Sequence, residues 1–140
     1  MTTPTSRTMN HYRRLGYSIG IVERWIAQRG IRKDLFGCID LVAIKAGEPA
    51  VGIQATSASN VSARINKAIA IPELRVWLAT GARFIVIGWA LRDDRWHPRI
   101  EELRLGDLGE LALPIPLATL PRNRRRDRHR PGDLFAGMGE

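Results

Sequence analysis

The stretch DLFGCIDLVAIKAGEPAVGIQATSASNVSARINK, residues 34–67, contains the pattern that decides the fold. Its two apolar runs, residues 36–44 and 50–57, are predicted as strands, and the residues between them have turn chemistry. Both runs are too apolar to alternate, so the two strands are predicted to be central and covered on both faces. A helix is predicted after Asn60, where apolar residues recur at helical spacing.

Asp40 is the residue in this stretch that most needs an explanation. It stands inside an apolar run, where a charged group is costly unless another group pairs with it or binds it. Gln54 and Thr56 lie on the next predicted strand, and Asp40 and Gln54 are expected to face the same way on adjacent antiparallel strands. Simpler interpretations stay open. Asp40 could accept hydrogen bonds from a turn or an arginine, and Gln54 and Thr56 could belong to a partly solvated sheet face.

The composition narrows the class of protein. A chain of 140 residues with 44% hydrophobic and 26% charged residues is predicted to form one domain with a real core. Its single cysteine, Cys38, excludes a disulfide framework and a multi-cysteine metal site. No apolar run approaches the roughly 18 residues of a membrane span, and the first residues lack the apolar region of a secretory signal. We therefore expect no membrane partner and a cytoplasmic location.

The charge is large but unevenly distributed. The net charge of +8 suggests an anionic partner such as DNA. Residues 122–130 hold six arginines against one aspartate, and three prolines precede them in residues 114–121. We predict a domain over residues 1–113 and a disordered basic tail over 114–140. The tail's candidate nucleic-acid contacts are Arg124, Arg125 and Arg126.

The chain before residue 34 is predicted as helix, strand and loop. A short helix over 6–15 ends at Gly16, and a first strand covers 17–26. The alternation of that strand places four side chains on one face: Ile19, Ile21, Glu23 and Trp25. Residues 28–33 are predicted as a basic loop whose candidate phosphate contacts are Arg29, Arg32 and Lys33.

The chain after residue 67 is predicted to return to the sheet. Pro72 separates two helices, because proline is tolerated at the first position of a helix but not in its interior. Residues 83–91 form another apolar strand, and residues 96–105 alternate as an antiparallel edge strand does. The chain is therefore an α/β protein with helix, three strands, helix and strand in order, followed by an extra strand.

This order, with Asp40 on the second strand and Gln54-Ala55-Thr56 on the third, resembles the PD-(D/E)XK nuclease superfamily. The resemblance is closest to its Holliday-junction-resolvase-like and phage-encoded branches, and it covers residues 6–91. It implies that the protein acts in the cytoplasm of a bacterial or phage-infected cell. It implies an αβββαβ core of the restriction-endonuclease-like type, with a mixed central sheet flanked by helices. The strand over 96–105 would be an antiparallel addition to that core.

The resemblance also implies an activity and a site. A member of this superfamily would be an endonuclease that uses Mg²⁺ or Mn²⁺ to hydrolyse phosphodiester bonds of DNA, here of branched or structured DNA. Asp40 and Gln54 would be the metal ligands, and Glu23 could add a carboxylate from the first strand. Thr56 stands where the family has a lysine. Lys67 on the following helix is the candidate for a displaced lysine, with Arg64 beside it for phosphate binding.

Two departures from the family pattern keep other functions open. Gln54 stands where the family has an acid, and Thr56 cannot supply a charge. A catalytically inactive DNA-binding protein of the same fold, or an oligomeric structural or assembly protein such as a homodimer, would also fit the sequence. In those cases Lys67 and Arg64 would be a solvated helix face, and Glu23 would pair with a surface arginine.

Overall fold

Helix α1, Pro4–Arg14, opens the fold in the computed structural model, which describes residues 2–109. Thr3 caps it: its side-chain oxygen accepts a hydrogen bond from the Ser6 backbone N–H at 3.1 Å. Pro4 takes the first helical position, where a missing N–H costs nothing. The chain leaves the helix through Gly16, whose φ of 89° is in the left-handed region. The helix predicted over 6–15 is confirmed.

Seven strands and two more helices follow. The strands are β1 Ser18–Ile21, β2 Arg24–Ile26, β3 Ile31–Lys33, β4 Leu41–Ile44, β5 Val51–Ser57, β6 Arg83–Arg92 and β7 Arg95–Leu103, and the helices are α2 Val61–Ile69 and α3 Pro72–Ala79. Five strands form a mixed sheet in the order β1-β4-β5-β6-β7, in which β5 and β6 are parallel and the other pairs are antiparallel. Strands β2 and β3 form a separate antiparallel hairpin. The prediction of an α/β protein with a mixed central sheet and a final antiparallel strand is confirmed.

The sheet has a hydrophobic core on each face. On one face Tyr12 of α1 packs with Leu41, Ile53 and their neighbours. On the other, α2 and α3 contribute apolar side chains that pack with Phe84 and Val86 of β6. Strand β5 is buried along most of its length, which confirms that the apolar run over 50–57 is covered on both sides. Strand β4 alternates between buried and more exposed residues, and Ile44 is 55% exposed, so the same prediction for the run over 36–44 is wrong.

The N-terminal strand is shorter than predicted. Strand β1 ends at Ile21, because the next two backbone N–H groups, of Val22 and Glu23, both donate to the Asp40 carbonyl at 2.9 and 3.2 Å. Residues 24–33 then form the β2–β3 hairpin, so one strand over 17–26 and a basic loop over 28–33 were wrong predictions. Trp25 is 60% exposed and does not share a core face with Ile19.

The second strand of the prediction also begins late. Residues 36–38 form a tight turn closed by two hydrogen bonds between the backbones of Leu35 and Ile39. Phe36 and Gly37 have φ values of 57° and 80°, a conformation that no strand adopts. Strand β4 therefore starts at Leu41, and the prediction of a strand over 36–44 is wrong for its first half.

Gly88 allows the start of α2 to approach the sheet. A Cβ at this position of β6 would lie 2.3 Å from Val61 Cγ2 and 2.8 Å from the Ala58 Cα and the Ser57 carbonyl oxygen. Two of these neighbours are backbone atoms, which cannot move aside without displacing the chain. The close approach places α2 against the end of β5 that carries Gln54 and Thr56.

Replacing Gly88 with alanine is expected to destabilise the fold by about 1–3 kcal/mol, because the added methyl overpacks this contact. Urea denaturation gives the free energy of unfolding. The matched control is Gly20→Ala in β1, where no heavy atom lies within 4 Å of the new Cβ. Equal stability of the two variants would contradict the close packing of α2 on β6.

Candidate metal and nucleic-acid site

A cleft of about 470 Å³ opens at the end of the sheet where β4 begins and β5 ends. Strands and adjoining turns supply acidic and polar side chains, and the hairpin and α2 each supply one arginine. The lining residues that carry chemistry are Glu23, Asp34, Asp40, Gln54, Thr56, Arg32 and Arg64.

Asp40 is held by the backbone on both sides. It lies one residue before β4, and its N–H donates to the Ile53 carbonyl at 2.9 Å. Its carbonyl accepts hydrogen bonds from the N–H groups of Val22 and Glu23, the two residues after β1. Its carboxylate oxygen Oδ2 accepts a hydrogen bond from the Ala55 N–H at 3.1 Å. The side chain thus takes the place of a strand partner for β5, which fixes the carboxylate at the edge of the cleft.

Asp40 and Gln54 are brought together. Strands β4 and β5 pair with Leu41 opposite Ile53, and one further step of this register places Asp40 opposite Gln54. Opposed residues of an antiparallel pair share a face, and both side chains line the cleft. Gln54 is only 3% exposed, and Thr56, two residues along the same strand, is also buried. The interpretation of Gln54 and Thr56 as residues of a partly solvated sheet face is therefore wrong.

Three carboxylates converge in the cleft. Glu23, Asp34 and Asp40 each contribute an oxygen, and these oxygens all lie within 4.8 Å of one another. The turn between Leu35 and Ile39 folds the chain back, so Asp34 before it meets Asp40 after it. The end of β1 delivers Glu23 to the same place. Asp34 was missed in the sequence, although a glycine midway between two aspartates was a signal for such a turn.

The crowding of these acids changes the ionisation of Asp40. Burial, together with the neighbouring Asp34 and Glu23, raises the pKa of its carboxyl to about 7. The hydrogen bond from the Ala55 N–H acts the other way, since it stabilises the carboxylate. A side-chain interaction with Asp34 raises the pKa of Asp40 as well, because it favours the protonated form of the Asp40 carboxyl. A cation in the cleft would relieve the same repulsion.

The cleft receives its positive charge from two arginines. Arg64 of α2 lines it, whereas Lys67, one turn further along, is exposed and lies outside the lining. Arg32 also lines it, and its guanidinium lies 4.0 Å from Glu23 with the side chain 72% exposed, so this ion pair adds little stability. Arg29 and Lys33 are exposed on the hairpin. The predicted contacts Arg124, Arg125 and Arg126, with the tail over 114–140, lie outside the described residues.

The donor set fits a hard divalent cation. Mg²⁺ and Mn²⁺ prefer carboxylate, carbonyl and water oxygens, and three carboxylates beside the Gln54 amide provide such oxygens. Neither Cys38, which is buried in the core, nor a histidine is among the lining residues. The chemistry of the described cleft is therefore that of an oxygen-ligand site.

Comparison of the chain with protein-family models, with curated proteins and with solved structures returns no significant match. Within residues 2–109, no helix is long and apolar enough to cross a membrane.

Replacing Asp40 with asparagine is expected to stabilise the fold at about pH 8 and to have little effect below about pH 4. The folded wild type holds a proton that the unfolded chain releases, so its stability falls as the pH rises from about 4 to about 7. Asparagine cannot ionise, and its amide oxygen can still accept from Ala55. We expect a gain on the order of 1–2 kcal/mol, because the partly exposed carboxyl is screened by solvent.

Thermal melting in EDTA across this pH range measures the effect. The matched control is Asp94→Asn, at an exposed turn position with a φ of 57° that asparagine tolerates, and it should follow the wild type. A wild-type stability that rises between pH 4 and 7 with the same slope as Asp40→Asn would contradict the raised pKa.

Proposed function

We propose that this protein is a metal-dependent endonuclease of the PD-(D/E)XK type, which hydrolyses phosphodiester bonds of DNA with Mg²⁺ or Mn²⁺. The observation that carries the proposal is the convergence of Glu23, Asp34 and Asp40 in one cleft beside Arg64. Acids placed this close repel one another, and a cation-binding function explains why the fold holds them together.

The topology supports the same proposal. Helix α1 is followed by the antiparallel strands β1, β4 and β5, then by α2 and α3, and then by β6 parallel to β5. With the β2–β3 hairpin counted as an insertion and β7 as an addition, this order is consistent with the αβββαβ order proposed for a restriction-endonuclease-like core. Asp40 lies just before the second core strand, β4, and Gln54 lies opposite it on the third, β5, which are the two positions of the superfamily pattern, with an amide in place of the second acid.

The residues of the cleft have distinct proposed roles. Asp40 and Asp34 are the principal metal ligands, with Glu23 and the Gln54 amide oxygen beside them. A bound Mg²⁺ would polarise the scissile phosphate and lower the pKa of an attacking water. Asp40, held by the Ala55 N–H, keeps its oxygen oriented into the cleft. The hydroxyl of Thr56 carries no charge, so its proposed role is limited to positioning by hydrogen bonding.

Arg64 takes the cationic role for which the sequence suggested Lys67. It lines the cleft, and Lys67 does not. A guanidinium stays protonated at all working pH values and binds phosphate oxygens in pairs, which suits stabilisation of negative charge in the transition state. It cannot donate or accept a proton in turnover, so the proposed role of Arg64 is phosphate binding and charge stabilisation.

Nicking of a supercoiled plasmid and of a branched duplex, with Mg²⁺ or Mn²⁺, tests the proposal. Asp34→Asn and Asp40→Asn should each abolish cleavage, while the matched control Asp94→Asn should cleave like the wild type. Arg64→Ala should lower the rate by about 10²–10³-fold, the usual loss for a transition-state charge stabiliser. Lys67→Ala, one turn away, should have a much smaller effect.

Three outcomes would count against the proposal or its assignments. Cleavage that survives Asp34→Asn would exclude this residue from the metal site. A rate that collapses in Lys67→Ala but not in Arg64→Ala would return the cationic role to Lys67. A wild type that cleaves none of the substrates with either metal would reject an active nuclease.

A second candidate function is DNA binding by the same fold without cleavage. Its support is that no lysine lines the cleft in residues 2–109 and that Gln54 stands where an acid is expected. In that case the inactive wild type would gain cleavage when Gln54→Glu is combined with Thr56→Lys, because the double variant adds the missing acid and ammonium. If the double variant folds but stays inactive, that result would count against a nuclease fold that has lost its activity through these two residues.

A further inference from the structure

Trp25 is exposed on the β2–β3 hairpin beside the cleft. The large indole is 60% exposed, which is unfavourable for a side chain that gains from burial. Trp25 pairs with Arg32 across the hairpin, so the two side chains lie side by side on one face. The hairpin therefore presents an aromatic surface and a guanidinium together.

The charge of the hairpin defines the kind of partner that fits it. Residues 24–33 contain four basic side chains and no acidic one: Arg24, Arg29, Arg32 and Lys33. Each of these four side chains is exposed. A polyanion with flat aromatic groups matches this surface in charge and in stacking chemistry, and nucleic acid is such a polyanion.

The surface around Trp25 is continuous with the acidic cleft. A second groove, lined by Trp25, Ile21 and Arg24, shares Thr3, Thr5, Glu23 and Arg32 with the cleft that holds Asp40. An extended strand that lies along both grooves would place one nucleotide against Trp25 while a neighbouring phosphate reaches the acids. This continuity links the hairpin to the site of the proposed chemistry.

We propose that Trp25 stacks on an unpaired base of single-stranded DNA, so that the substrate has a single-stranded segment next to the scissile phosphate. In a duplex the base faces are covered by neighbouring bases and cannot meet the indole. Exposed aromatic side chains in a basic groove are a usual device for holding single strands without sequence preference. The inference rests on the proposed function for its cleavage position, but binding can be measured without cleavage.

Binding in EDTA by the full chain tests the inference. The probes are an oligothymidylate of about 16 nucleotides, the same backbone with abasic sites, and a blunt duplex of equal length. Trp25→Ala should weaken oligothymidylate binding roughly 5- to 100-fold, and Trp25→Phe should retain most of the affinity. Duplex binding, which depends on phosphate contacts, should change by less than about twofold. Wild-type binding to the abasic strand should fall to the level of Trp25→Ala on oligothymidylate.

The matched control is Ile44→Ala, an apolar residue that is 55% exposed at the opposite end of β4 from Asp40, and it should bind all probes like the wild type. Equal weakening of single-strand and duplex binding by Trp25→Ala, or no weakening at all, would overturn the inference. So would wild-type binding that is equally tight with and without bases. A wild type that binds through Trp25 but never cleaves would reject only the nuclease proposal, and cleavage without a Trp25 effect would reject only this inference.

Discussion

At the point where β5 extends past the start of β4, the Asp40 carboxylate accepts a hydrogen bond from the Ala55 N–H, in the position where a β4 backbone would lie. This bond has two consequences. It satisfies a backbone donor that would otherwise be left open beside the core, and it holds a carboxylate where a strand would normally continue. The backbone of Asp40 meanwhile hydrogen-bonds to Ile53 within β5 and to Val22 and Glu23, the two residues that follow β1. The cleft exists because the sheet is interrupted here and a side chain bridges the gap.

The same arrangement explains the electrostatic cost of the site. The turn that follows β3 and the end of β1 bring Asp34 and Glu23 close to Asp40. Burial of Asp40 and the charges of these two acids raise its pKa. A fold selected for stability alone would separate these acids or replace one with an amide. Residues that break a local rule of stability are frequently those that serve function. Arg64 approaches the acids because Gly88 lets α2 start close to the sheet.

Much of the fold was predictable because its strongest signals are periodic. The apolar runs of β5 and β6 and the helical spacing of α2 identified their elements, and Asp40 was conspicuous as an acid among apolar residues. Asp34 was not predictable in the same way, since its role depends on left-handed backbone at Phe36 and Gly37. The residues of that turn are mostly apolar, so the sequence pattern predicted a strand there. Alternation in residues 17–26 likewise could not separate a sheet strand from an exposed hairpin. Arg64 and Lys67 share one side of a helix by spacing, but only packing shows that Arg64 reaches the cleft.

Anomalous diffraction from a crystal soaked in Mn²⁺ would locate the cation directly. The proposed site predicts one peak in the cleft, with carboxylate oxygens of Asp34 and Asp40 at a bonding distance of about 2.1–2.3 Å. The peak should disappear in Asp34→Asn crystals grown in the same form. A Mn²⁺ peak bound elsewhere, or an empty cleft at a saturating concentration of Mn²⁺, would contradict a metal site built from these acids.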